Sequence, residues 1–480
     1  MTSCSDHHFK LISRHCAVAM VKVVFACGLL LASAATSAQT REAERLDQTG
    51  ARLEAYRNQL ETMEVQLGRY DPQLLETLEQ LAEANMELNR FERTDEILDR
   101  SIQILRISDG LYTESQFPFL ILSIRNNVRQ GNWRDANETL DHLTWLYTMV
   151  PRDWNDALVR ELKQLADLHL EGVAGDATLM KDPHFRAADR VSRVAMLGAE
   201  LIWSASDPRL IDLYYYLLLQ NHIKFMALIQ GGPVAADLRQ VAAGVGWMRR
   251  RQDVKHMYFY LGMEMLNRMR RGYLMADTPN PEALAMVDVH EADWLVLFNE
   301  GDPAAAYRQA YASLRMAGVP EETLGAFFSV PRILPVRQFY PSVAQAMKAF
   351  ASEADDADCR TACQATLRFT EWSSTTPNVQ MPLERSLLLA QQYTAMNTAT
   401  VQINLKSVET VSQWIRGRLV SQKSVTDGFE WLASTGRASL DADALEDRLH
   451  YLNFRPVLDA GVPQDFSGRL EYRYFPPDRD

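Results

Sequence analysis

LEQLAEANMELNRFERTDEILDRSI (Leu78–Ile102) and LSIRNNVRQGNWRDANETLDHL (Leu122–Leu143) carry the same arrangement of small and large residues. Setting Phe91 over Trp133 also sets Leu98 over Leu140. In each half the apolar residues recur at helical spacing with charges between, and a polar turn breaks the pattern near the middle. That spacing predicts two consecutive helical hairpins, each with one face to bury against its neighbour.

The pattern resembles the tetratricopeptide family, whose unit is a helix pair with small residues where the helices touch and a turn that often holds Gly followed by an aromatic. The second hairpin matches through Gly131, Trp133, Ala136, Leu140 and Leu143; the first has Leu81, Ala82, Asn89 and Phe91, then Thr94 where Ala is usual. A third unit can be drawn through Leu165, Ala166, Phe185, Ala188 and Ala195, with Glu171–Asp182 as an insertion between its helices. A fourth follows Glu291-Ala292-Asp293-Trp294 with Gly301, Ala306, Ala310 and Ser313. The resemblance implies a groove for a protein or peptide, with Glu83, Arg125 and Asp167 at groove-facing positions or, equally, as ordinary solvated helix residues.

Outward from these units, the apolar recurrence from Leu46 to Leu67 predicts an amphipathic helix from Thr40 to about Arg69 that caps the array. Asp71 and Pro72 then suit the N-cap and first position of the next helix. Leu210–Leu228 is apolar on most faces and predicts a buried helix; the Met and aromatic stripe of Leu238–Tyr273 predicts core, since Met fills irregular gaps. Pro320, Pro331, Pro335 and Pro341 mark the expected end of the array. Leu367–Trp372 and Val401–Leu405 alternate as strands do, so the period changes from 3.6 to 2 between 340 and 400.

From about Ile415 to Phe475 the chain resembles the C-terminal domain of TonB-family energy transducers. The matching residues are Ser434-Thr435-Gly436, Leu440-Asp441, Ala444-Leu445, Asn453-Phe454-Arg455-Pro456, Gly461, Pro463 and the strand from Leu470 to Tyr474. Independently, Leu445, Leu449 and Leu452 make one helix face after a cap at Asp441, Phe454 joins that core, and Leu470, Tyr472 and Tyr474 share one strand face. The resemblance implies a last strand, Arg469, Leu470, Glu471, Tyr472, Arg473, Tyr474 and Phe475, that pairs with an extended peptide. There is no Pro-rich spacer of the kind a periplasm-spanning transducer needs, so a borrowed binding or capping role is expected ahead of energy transduction.

The expected fold class is therefore mainly α: an α-helical TPR-like solenoid followed by a small α+β, TonB C-terminal-like domain. The divisions are 1–38 (signal peptide), 39–330 (helical repeats), 331–398 (a connecting region with a short helix, a Cys pair and a strand) and 399–480 (the TonB-like domain).

Ala17–Ala38 is apolar except for Lys22 and ends in Thr36-Ser37-Ala38, an A-x-A-like cleavage site, with a start at Met20 giving the better n-region. Its uncharged run falls short of the roughly 20 residues that span a bilayer, so the expectation is a cleaved signal peptide, a periplasmic location and no transmembrane span in the mature chain. Losing Lys10, Arg14, Lys22 and Asp6 moves the net charge from −12 to −14. Such a surface excludes nucleic acid, whose binding draws on Lys and Arg. Only Cys359 and Cys363 remain after cleavage; at i and i+4 in an oxidising compartment they are a disulfide candidate, and two thiols alone are half a zinc site.

His290-Glu291-Ala292-Asp293 opens like a zinc-protease helix, but Trp294 stands where the second His ligand belongs. No nucleophile elbow, P-loop or dinucleotide fingerprint occurs, so neither catalytic nor cofactor-binding residues are assigned, and no cofactor. The expected function is a non-enzymatic scaffold for an unidentified protein or peptide partner in the cell envelope.

Overall fold

The computed structural model describes residues 47–149, 153–176, 178, 181–229, 251–353, 366–373, 376–380, 396–406, 413–415, 418–420, 425–435, 445, 448–449 and 452–475. The signal peptide, Cys359, Cys363 and the cap at Asp441 lie outside them. The chain divides into two compact units, 1–150 and 151–480.

In the first unit, helix α1 (47–67) precedes two hairpins, α2 (Leu75–Glu87) with α3 (Phe91–Ser108) and α4 (Phe117–Arg129) with α5 (Trp133–Met149). Asp71 accepts a bond from Gln73 N–H at 2.8 Å with Pro72 at the first position of a short 3₁₀ turn that runs into α2. Leu53 of α1 packs on Leu81 and Ala84, so the first helix covers a face of the first hairpin.

The two hairpins turn by the same device. Asn89 (φ +56°) and Gly131 (φ +75°) occupy the left-handed position after the first helix. Arg90 N–H donates to Asn85 C=O and Asn132 N–H to Asn127 C=O, both at 2.9 Å, while Asn89 and Gly131 N–H groups reach Met86 and Val128. This is a Schellman turn, which satisfies helix carbonyls that would otherwise be orphaned. Even the side chains correspond: Asn85 Nδ2 donates to Leu81 C=O and Asn127 Nδ2 to Ser123 C=O. Thr94 fits where Ala is usual because its hydroxyl bonds back to Arg90 C=O at 3.2 Å.

The second unit begins with three more hairpins. They are α6 (Asp156–Gly175) with α7 (Lys181–Ile202), α8 (Pro208–Ile229) with α9 (Arg251–Leu274), and α10 (Pro281–Phe298) with α11 (Pro303–Met316). The expected insertion at Glu171–Asp182 is mostly helix: α6 continues through Gly175, with Glu171 buried, and α7 starts at Lys181. The two intervening segments pair as a hairpin of their own, which the irregular composition had hidden. Gly262 lets α9 approach α10, since a Cβ there would lie 2.1 Å from the Trp294 ring. Asn280 and Asp302 cap α10 and α11 with proline at the next position, and Asn299 (φ +47°) repeats the Schellman turn. Helices continue past Pro320 as α12 (Glu321–Phe327) and α13 (Val343–Glu353).

The remainder is a small β region. Strands β1 (Arg332–Leu334), β2 (Thr366–Ser373), β3 (Thr376–Gln380), β4 (Asn397–Lys406), β5 (Gln413–Ile415), β6 (Arg418–Val420) and β7 (Val425–Thr435) are followed by β8 (Asn453–Arg455), β9 (Val457–Asp459), β10 (Val462–Gln464) and β11 (Phe466–Tyr474). The main sheet has the order β3-β2-β11-β4-β7, with β2 parallel to β11 and the other pairs antiparallel. Its core joins Leu367, Phe369, Val401, Ile403, Leu470, Tyr472 and Tyr474 to Leu445, Leu449, Leu452 and Phe454, so the expected inward faces are the buried ones. The architecture is thus a mainly helical repeat array followed by a small region with strands.

Two boundaries differ from the sequence expectation. Strands β2 and β3, assigned to a 331–398 connection, belong to the same sheet as β4, so residue 399 does not open a domain. Nor is the sheet separate from the helices. Strand β8 pairs with β1, Leu458 N–H donates to Phe328 C=O at 3.1 Å, and Gly461 (φ +83°) packs against Tyr311 of α11.

Candidate interaction surface

In the first unit α2 and α4 are the first helices of neighbouring hairpins. Helix α2 carries Glu76, Glu79 and Glu83, one turn apart along one side; Glu76 and Glu83 are exposed and Glu79 is half-buried. Burial raises the Glu79 carboxyl above its ordinary range, and the charges of Glu83 and Glu76 push it the same way. None of the three forms an ion pair among the described residues, so α2 presents uncompensated negative charge. Arg125 lies half-buried on α4, with its Nε shielded from solvent and without a hydrogen-bond partner. One turn later Arg129 Nη1 crosses to Met86 C=O of α2 at 3.1 Å.

The third expected groove residue, Asp167, is not on a surface. It is buried in α6, where Tyr216 Oη donates to Oδ1 and Lys163 Nζ to Oδ2 at 3.1 Å. Burial raises its carboxyl above the ordinary range against the pull of Lys163. A helical period cannot distinguish a solvated Asp from one that a Tyr on the next hairpin satisfies, and only the α8 partner settles it.

The candidate peptide-pairing strand Arg469–Phe475 has also been placed differently. Strand β11 lies inside the sheet, with β2 on one side over Arg469–Arg473 and β4 on the other over its whole length. Its backbone groups are already paired, so this stretch offers no open edge; the outer strands are β3 and β7. Residues 366–373 supply the neighbour, from outside the stretch that carries the resemblance. Around the strand, Glu371 is fully buried and accepts from Arg448 Nη1, from Tyr472 Oη at 2.7 Å and from Phe475 N–H at 3.1 Å.

Arg455, in the segment that most resembled a known family, turns inward. Its Nε and Nη2 bond Asp293 Oδ1 and Oδ2 at 2.9 and 2.6 Å, a bidentate pair with both partners buried. Burial alone would lower the guanidinium pKa, but the charge and hydrogen bonds of Asp293 prevail and raise it. Tyr307 Oη donates to Asp293 at 2.7 Å, and His290 Nδ1 lies 3.5 Å from Asp293 Oδ2. The His290 and Asp293 that opened like a protease motif are therefore part of a structural tie.

Sequence reasoning missed the other buried imidazoles. His169 and His184 meet through their Nδ1 atoms at 3.2 Å, and His184 Nε2 lies 3.2 Å from Asp176. No group of three or more His, Cys, Asp or Glu side chains among the described residues could hold a metal ion. Among those residues no helix is long and apolar enough to cross a membrane.

No protein-family model matches the chain, and no curated protein matches it. Solved structures similar to it include BtubC (BKLC) from P. vanneervenii, at 11% identity over 68% of this chain and 97% of that one, with a TM-score of 0.35. Another is a structure of Podosopora anserina kinesin light chain nearly identical TPR-like repeats, at 11% identity over 52% of this chain and 94% of that one, with a TM-score of 0.30.

Proposed function

We propose that this chain is a non-enzymatic protein-interaction scaffold of the bacterial cell envelope, exported to the periplasm by cleavage after Ala38. The observation that supports scaffolding is the succession of helical hairpins, whose first helix in the leading unit, α2, presents Glu76 and Glu83 to solvent. Uncompensated carboxylates on a rigid helix favour a basic protein or peptide. The Ala17–Ala38 pattern supports export.

Both halves are testable in the source bacterium. Osmotic shock should release the protein, with Gln39 as its first residue; retention in the spheroplast with an intact N-terminus would refute export. Affinity purification from envelope extracts should recover a stoichiometric partner that Glu76→Lys/Glu83→Lys loses. Repeated recovery of none, or of the same partner with the variant, would refute a scaffold acting through α2.

A further inference from the structure

In the second unit, helix α7 turns a row of basic and apolar side chains to solvent. Arg190, Arg193, Leu197 and Leu201 follow one another at intervals of three, four and four residues, so they lie on one face of the helix over about three turns. All four are exposed, Leu197 to 57% and Leu201 to 73%. The opposite face is formed by Ala188, Val191, Ala195 and Ala199, all buried, and Ser192 beside it takes a bond from Gln220 of α8 at 2.9 Å. The contacts that hold α7 in the array therefore lie on the far side from the row. Both leucines of α7 face water, whereas all five of its hairpin partner α6 are buried. One exposed leucine is ordinary, but two stacked a turn apart and continued by arginines form a contiguous strip that the fold does not use.

The strip keeps its positive charge. Arg190 forms no hydrogen bond or ion pair among the described residues. Arg193 Nε bonds Asp189 Oδ2 at 2.8 Å, but Lys224 Nζ takes the other oxygen of that carboxylate, so two cations share one anion. Glu200, on the same flank of α7 as Asp189, is held by Arg268 Nη1 and by Tyr214 Oη at 2.9 Å. Both flanking carboxylates are thus committed to cations of other helices, and Arg190 is left uncompensated in a chain of net charge −12.

We propose that this strip docks an acidic amphipathic helix of a partner protein, laid along α7 with its apolar residues on Leu197 and Leu201 and its carboxylates at Arg190 and Arg193. The inference rests on the scaffold reading and adds a second surface, opposite in charge to the one on α2. Spacing selects a helix, because one helix lying along another meets residues at intervals of three and four, whereas an extended strand has period two. Charge selects its sign, and guanidinium groups bind carboxylates in a directional, bidentate way. An anionic membrane would meet the whole acidic chain as well as the strip, while a single helix feels chiefly the charges within about 8 Å at physiological salt. An isologous contact between two copies would lay Arg190 on the arginines or the leucines of the other copy.

The test uses the full chain and two labelled helical probes of equal length, one built from Glu and Leu and the other from Lys and Leu, followed by fluorescence anisotropy. The Glu/Leu probe should bind. Leu197→Ser/Leu201→Ser should weaken it about tenfold or more, as loss of central anchors does. Arg190→Glu, which disturbs no apolar contact, should weaken it as well and flatten its salt dependence. These positions face solvent, and circular dichroism checks that the variants fold. No binding of the Glu/Leu probe, or binding that both variants leave unchanged, overturns the inference. The Lys/Leu probe reports on α2 instead: it should keep its affinity in the α7 variants and lose it in Glu76→Lys/Glu83→Lys. If it behaves so while the Glu/Leu probe fails, scaffolding stands and the α7 assignment falls; if it alone fails, the α2 surface falls and the α7 one stands. Phosphatidylglycerol vesicles that bind the chain but not Leu197→Ser/Leu201→Ser would overturn the inference in favour of a membrane, and a dimer in sedimentation that this variant dissociates would do so in favour of a second copy.

Discussion

Arg455 and Asp293 are 162 residues apart and both buried, and removing either one should cost far more than a surface ion pair would. Exposed pairs are worth about 0–1 kcal/mol. Here Arg455→Met would leave the Asp293 carboxylate without its cation, with only Tyr307 Oη and His290 near it. Leaving a buried charge uncompensated typically costs about 3–5 kcal/mol. A bidentate geometry at 2.9 and 2.6 Å, with a third donor on the same carboxylate, places this pair at the upper end. Denaturant unfolding followed by circular dichroism should show each of Arg455→Met and Asp293→Leu shifting the midpoint down by that amount. The double variant should be less destabilised than either single one, because an apolar pair of similar volume leaves no charge stranded. Losses that simply add in the double variant, or single-variant losses below about 1 kcal/mol, would refute the tie.

Other consequences concern packing, turns and pH. Gly262→Ala would place a methyl 2.1 Å from the Trp294 ring and should destabilise by at least about 1–3 kcal/mol, whereas Gly325→Ala in α12, with nothing within 4 Å, should be neutral or stabilising; thermal melts of the two variants decide. Asn89→Gly should be neutral or better, while Asn89→Val at φ +56° should cost about 1–2 kcal/mol, and equal melting temperatures for the two would contradict the shared turn. His290 is held neutral by burial, with Arg455 reinforcing this against Asp293, and its pKa falls to about 4; His222, with neither ring nitrogen hydrogen-bonded, falls to about 3. Both lie below the ordinary imidazole value, so the unfolded chain takes up more protons and stability should decline as pH drops from about 6.5 towards 4. His222→Leu should flatten that decline, measured as the denaturant midpoint against pH.

What the sequence made legible was whatever depends on local period and local backbone. The alignment of Phe91 with Trp133 carried the equivalence of Asn89 with Gly131, since a left-handed residue must stand at a fixed offset from the helix it ends. The alternation in Leu367–Trp372, Val401–Leu405 and Leu470–Tyr474 likewise identified the inward faces of three strands, because that period is a property of each strand alone. Strand order is not such a property. Nothing in Arg469–Phe475 says that residues 366–373 will lie parallel beside it, and with them there the edge expected to receive a peptide became the interior of a sheet. Asp167 shows the same limit on a helix: its burial depends on a Tyr at 216, on another hairpin.

Arg455 carries that distinction furthest. Its neighbours Phe454 and Pro456 could be placed from local pattern, and Phe454 does enter the expected core. An arginine between them, on a short strand beside a small domain, would ordinarily be a surface residue or a ligand contact. Its burial is tolerable only because Asp293 waits at the end of a bidentate bond, Tyr307 completes that carboxylate, and β1 fixes the height of β8 against the helices. Each partner is more than a hundred residues away, so each is silent in a window around Arg455. The same contacts explain why the β region cannot be treated as a detachable module. Ending the chain before β8 would strand Asp293 in the helical core, deprive β1 of its only pairing partner among the described residues and free the Phe328 carbonyl, so such a truncation should destabilise the last hairpin as well as the sheet.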